Sequence, residues 1–152
     1  MEEAVGPIVV KESGTVIENM IIYGEPTDDS KKNDYTLKII GADNVVVRNV
    51  ILYHAANTMG IFAVRANNLL IENVEVIAYG NDWGTAPCPS RAPFHGADCT
   101  NIKVRRAENL RIKNVSVENG SRGISLVNAT RAYVTGVVAK NARGAYPAGQ
   151  CV

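Results

Sequence analysis

The sequence predicts an all-β solenoid of short parallel strands, and three observations predict it. A block of 14 residues recurs five times without internal gaps. Each block alternates apolar and polar positions with a period of two, as a strand with one buried face does. Each block also closes on asparagine or glycine, the residues that best tolerate a left-handed backbone.

The copies are "GPIVVKESGTVIEN" (6–19), "TLKIIGADNVVVRN" (36–49), "GIFAVRANNLLIEN" (60–73), "NIKVRRAENLRIKN" (101–114) and "GISLVNATRAYVTG" (123–136). A sixth opens at Gly149 as "GQCV", and the block starts are 30, 24, 41, 22 and 26 residues apart. In each block a first strand points its second and fourth residues inward. These are Leu37 and Ile39, Ile61 and Ala63, Ile102 and Val104, and Ile124 and Leu126. A small residue then marks a turn: Ala42, Ala66, Ala107 or Ala129. A second strand follows, with Val45 and Val47, Leu69 and Ile71, Leu110 and Ile112, and Ala132 and Val134 facing the core.

The corner after it is held by Asn19, Asn49, Asn73 and Asn114, and by Gly136 in the last copy. Stacked corners would let each amide bond to the rungs above and below. A third strand starts at once, as in "NVILY" or "NVEVI". Three short strands in a repeat of roughly 22–25 residues describe a right-handed parallel β-helix. About five rungs are expected, each about 4.8 Å from the next. A βαβ fold needs crossover helices of about a dozen residues, longer than most of these connections. Leucine-rich repeats would show a fixed period and denser leucine. Residues 1–152 are read as one domain, the N-terminal part of a longer solenoid truncated within its sixth repeat. Either further rungs or end-to-end self-association would cover the open end.

The bulk numbers bound the partners. Sixteen Lys and Arg against 15 Asp and Glu leave a net charge of +1, which argues against nucleic acid. Apolar runs are too short for a membrane span, and "MEEAVGPIVV" lacks a signal-peptide pattern. Three cysteines leave one over from any pairing.

The units "NVVVRNV", "NLLIENV" and "NLRIKNV", with the strand-turn "GISLVNAT", resemble the right-handed β-helix proteins of the pectin-lyase-like superfamily. The likeness spans nearly the whole chain. It implies a secreted or cell-surface setting and an association with polysaccharide, as in pectate lyases, polygalacturonases, tailspikes and adhesins. Fold alone does not select an activity among these. The clustered first-strand acids of calcium-dependent pectate lyases are missing, as are the paired aspartates and Gly-His-Gly of polygalacturonases. "RIK" at 111–113 lies in a second strand, with Ile112 inward, and carries no such role. No cofactor is expected.

Because the blocks align without gaps, insertions gather at one corner, between a third strand and the next first strand. Insertions stacked on one side of a solenoid commonly flank its binding face. Outward residues of that face are Ile8, Lys38, Phe62, Lys103, Ser125 and Cys151 in the third position. The fifth position carries Arg105 where other copies have Val10, Ile40, Val64 and Val127. A cation among aliphatics breaks the pattern, and pattern breaks are where function is expected. Lys38, Lys103 and Arg105, walled by loops with His54, His95, Arg122 and Arg143, would suit an anionic polymer; a solvated sheet face is the plainer reading.

The longest insertion, "NDWGTAPCPSRAPFHGADC" (81–99), leans over this face. Cys88, His95, Asp98 and Cys99 match no standard zinc spacing, so no metal is expected. Cys88 and Cys99 either form a disulfide that stiffens the loop or remain thiols. Asp82 and Asp98 are candidates for the carboxylate pair of glycoside hydrolysis. Elimination from a uronate would instead use His95 as base, with Lys103, Arg105 and Arg122 neutralising the carboxylate. Trp83 is either a sugar platform or a pin for its loop. Tyr23, Tyr53 and Tyr79 recur after the third strand and are read as a stacked structural column. Sequons at Asn114 and Asn128 decide nothing, the first because it sits in the corner ladder.

The sequence therefore leads to a protein that binds or cleaves an acidic glycan along the first-strand face. Its alternatives are a structural or adhesive module without catalysis and a non-catalytic scaffold segment of a larger carbohydrate-active enzyme.

Overall fold

The structure is a computed structural model that describes residues 1–25, 35–55, 58–79, 100–120 and 122–141. Eleven strands follow one another: β1 (Glu2–Val5), β2 (Ile8–Val10), β3 (Val16–Tyr23), β4 (Tyr35–Ile40), β5 (Val46–Ala55), β6 (Met59–Val64), β7 (Leu70–Tyr79), β8 (Thr100–Glu108), β9 (Arg111–Glu118), β10 (Arg122–Thr130) and β11 (Tyr133–Lys140). Among the described residues there is no helix.

From β2 onward the chain alternates between two sheets, one ordered β1-β3-β5-β7-β9-β11 and the other β2-β4-β6-β8-β10. Every pair is parallel. Stepping to the adjacent strand with each repeat is the order of a parallel β-solenoid. The first-strand sheet is the second of these.

The expected second and third strands of each repeat are one hydrogen-bonded strand with a bend, not two. The ladder runs from Glu18 opposite Arg48 to Met20 opposite Val50 and skips only the asparagines between. Asn19, Asn49, Asn73 and Asn114 have φ of 56, 53, 53 and 52°, and Gly136 has 64°. One left-handed residue turns the chain, while both flanks keep the same neighbours.

Further left-handed residues recur at other corners of the repeats. Gly41 and Arg65 follow β4 and β6, and Arg106 and Asn128 lie near the ends of β8 and β10. Gly14, Asn44, Asn68, Asn109 and Arg131 precede the long strands, and Asn119 and Asn141 follow β9 and β11.

The first repeat departs from the gapless alignment. Ile8, Val9 and Val10 pair with Leu37, Lys38 and Ile39, whereas Val16 still pairs with Val46. Its first strand is thus one residue out of step. Val10, expected outside, is buried, and Val9 is 44% exposed. A one-residue slip exchanges the two faces of a strand.

The core is a stack of like on like. Leu37, Ile61 and Ile102 are in register and fully buried, as are Val47, Ile71 and Ile112. Each such side chain contributes about 1.5–3 kcal/mol by burial. Ala42, Ala66 and Ala107 are buried at the corner between the two sheets. In β10 and β11 the inward Leu126 and Val134 are 38% and 37% exposed. No described strand pairs with the outer edge of either.

Candidate functional site

The outward face of the first-strand sheet is built one residue per rung. Val9, Lys38, Phe62, Lys103 and Ser125 stand in register across β2, β4, β6, β8 and β10. Beside them run Ile40, Val64, Arg105 and Val127. The Lys38 ammonium lies 4.7 Å from the centre of the Tyr35 ring and 5.7 Å from that of Phe62. Those rings are tilted 46° with centroids 6.5 Å apart. A cation held over aromatic faces gains about 0.5–1 kcal/mol at an exposed site. Arg105 is exposed between its aliphatic neighbours, and Arg122 opens β10 opposite Thr100.

The contrast with the other sheet lies in the acids. Among the described residues, Glu108 is the only carboxylate on the strands of this sheet; it ends β8, with Arg131 3.6 Å away. The other sheet carries Glu2, Glu3, Glu18, Glu72, Glu75 and Glu118 among Arg48, Arg111, Lys113 and Lys140. There Glu18 and Arg48 pair at 2.6 Å. A face of cations without interleaved acids attracts anions over about a Debye length, 8–10 Å at ordinary salt.

Sequence reasoning missed three members of this face: Tyr35, Arg65 and Arg106. The two arginines, exposed at left-handed corners, extend the cationic surface beside Arg105. The signal was available, because the first six positions of every block contain no acid.

His54 does not wall a loop. It lies opposite Ala78 near the end of β5, an inward position, and is fully buried. Its Nδ1 donates to the Ala55 carbonyl at 3.0 Å, with Thr58 Oγ1 at 3.5 Å. Its Nε2 accepts from Asn101 Nδ2 at 3.0 Å. Burial lowers its pKa from 6.5 to about 4, outweighing bonds with Ala55 and Thr58 that act the other way. The ring is therefore neutral at pH 7, sealed from any polymer.

Asn101 makes a clamp at this corner. Its Nδ2 also reaches the carbonyls of Val76 at 3.3 Å and Glu118 at 3.1 Å, while its buried Oδ1 has no partner. Glycine is required around it. A Cβ on Gly60 would lie 2.5 Å from the Asn101 carbonyl oxygen, and one on Gly120 would collide with Oδ1.

Tyr23 and Tyr53 do stack, with centroids 5.5 Å apart and planes 7° from parallel. Tyr79 is not their third member. Ile77 stands opposite Tyr53, and Tyr79 opposite Ala55.

Asp82, Trp83, Cys88, His95, Asp98, Cys99 and Arg143 lie outside the described residues. The described part of the face brings together Lys38, Phe62, Lys103, Arg105 and Arg122, which can hold anions and apolar C–H surface. Among the described residues no group of three or more His, Cys, Asp or Glu is placed to hold a metal. No protein-family model, curated protein or solved structure matches the chain.

Proposed function

We propose that the chain is a right-handed β-helix of the pectin-lyase-like type that binds or cleaves an acidic polysaccharide along its first-strand face. One observation supports this reading above the others: the row Lys38, Phe62, Lys103, with Arg105 beside it, on strands nearly free of carboxylate. Rungs about 4.8 Å apart would offer successive sugars of an extended chain one side chain each. The cations would neutralise carboxylate or sulfate groups, and the Tyr35 and Phe62 rings would cover the C–H faces of a pyranose. In a lyase, Lys103 and Arg105 would also stabilise the carboxylate as the adjacent proton leaves, with His95 as base. In a hydrolase, Asp82 and Asp98 would share the acid and base roles.

The test is titration of the protein with polygalacturonate and alginate against a neutral glucan. Acidic polymers should bind, more weakly as salt rises, and the K103A/R105A variant should lose affinity about tenfold or more. Unchanged affinity in the variant would remove the face from the reading. Absorbance of unsaturated ends reports elimination, and a reducing-end assay reports hydrolysis. Binding with both silent makes the chain a binding module; no binding at all leaves the structural or adhesive alternative.

A further inference from the structure

The ends of the long strands build a second, chemically opposite site. Val5, Tyr23, Gly24, Glu25, Tyr53 and Tyr79 line a cavity of about 460 Å³. Tyr23 and Tyr53 form one wall as the stacked pair. The Tyr79 side chain runs back across a rung, so that its hydroxyl donates to the Gly24 carbonyl. The Tyr79 proton is thus spent, and that oxygen turns only lone pairs outward. The Glu3 carboxylate stands near enough to the Tyr23 phenol to oppose its ionisation.

Glu25, exposed at the rim, adds a carboxylate, and among the described residues no cation lines the cavity. Partial burial, and then Glu3, hold the Tyr23 phenol above its ordinary value. Burial, and then Glu25, do the same for Tyr79. Both phenols stay neutral at pH 7, and both feel a neighbouring negative charge. A lining of acceptors, aromatic carbon and carboxylate fits a ligand that is apolar along its stem and a charged donor at its head.

We propose that this cavity binds a small primary amine in its ammonium form, stem against the tyrosine rings and head toward Glu25. The anionic polymer proposed for the other sheet would be repelled here, so the two sites are independent.

The probe is n-butylammonium, with n-butanol as its neutral counterpart, followed by NMR of ring-labelled tyrosines. Butylammonium should shift Tyr23 and Tyr79 saturably, and butanol should bind about fivefold or more weakly. Glu25→Gln should weaken butylammonium several-fold and leave butanol unchanged. Glu72→Gln, on the same sheet but outside the cavity, should change neither. Equal affinity for the two probes, unaltered affinity in a folded E25Q protein, or no saturable shift in the unaltered protein would each overturn the proposal.

Discussion

Asn73 and Asn101 bridge successive rungs by the same amide chemistry in opposite surroundings. Asn73 sits in the exposed corner column, where its Nδ2 reaches Asn49 Oδ1 at 3.4 Å and Asn114 reaches it in turn at 3.4 Å. Asn101 occurs once, is 1% exposed, and directs its Nδ2 at His54, Val76 and Glu118. Water can replace a lost bond in the column and cannot at the buried corner. A repeated exposed residue is thus kept for its backbone conformation, whereas the single buried one is kept for its hydrogen bonds.

The largest effect expected from this contrast is at Asn101. Replacing it with alanine strips the donor from the His54 ring nitrogen and from two main-chain carbonyls. Each buried group left without a partner costs about 1–3 kcal/mol, so Asn101→Ala should lose about 3–5 kcal/mol overall. Urea unfolding at pH 7.5 measures it. A loss below about 1 kcal/mol would mean that water enters the corner, and the contrast with Asn73 would fail.

His54 gives the same corner a pH dependence. Its pKa is 6.5 when unfolded and about 4 when folded, so the unfolded chain takes up the proton first. Its contribution is complete above pH 6.5, is lost as pH falls toward 4, and changes little below that. The span corresponds to about 3 kcal/mol. Urea midpoints taken from pH 7.5 to 4 should fall more steeply in the unaltered protein than in His54→Gln. Parallel curves would show that the ring is already solvated or charged.

These two residues also mark where the sequence stopped being legible. Strand positions, the inward residues and the Asn19, Asn49, Asn73 and Asn114 column could be read directly, because a solenoid writes one local rule repeatedly. His54 was misplaced for the complementary reason. It stands where Gly24 and Ala78 stand, and a polar residue at an inward position reads as a loop residue until its neighbours are known. Its partner Asn101 is 47 residues away, across an insertion. The slip in the first repeat had no local signature either, since "PIVV" alternates equally well in both registers. Lys38 and Lys103 were found as outward third positions of their blocks, and Arg105 as a break in the pattern. Tyr35 was missed because it precedes the block that defined the repeat.

A second ladder, at the turn before the long strands, shows how interchangeable the exposed polar positions are. Ser13 Oγ accepts from the Asp43 amide at 2.9 Å, Asp43 Oδ1 from the Asn67 amide at 3.1 Å, and Asn67 Oδ1 from the Glu108 amide at 3.1 Å. Any short acceptor serves there, so the identity drifts from Ser to Asp to Asn. The corner column stays with asparagine until Gly136, which points to conformation as its constraint.

That distinction sets the smallest of the expected effects, and the one that separates the two causes. At Asn73, φ is 53°, a region that costs an ordinary L-residue about 1–2 kcal/mol. Alanine should therefore destabilise by about 1–2 kcal/mol. Glycine loses the same amide bonds but adopts this φ without strain, so Asn73→Gly should cost less than about 1 kcal/mol. The natural chain already makes this exchange at Gly136, where a Cβ would lie 2.5 Å from Asn114 Oδ1. Thermal unfolding of both variants gives the order. If glycine proved as costly as alanine, the amide ladder itself would be the stabilising element, and exposure would no longer separate Asn73 from Asn101.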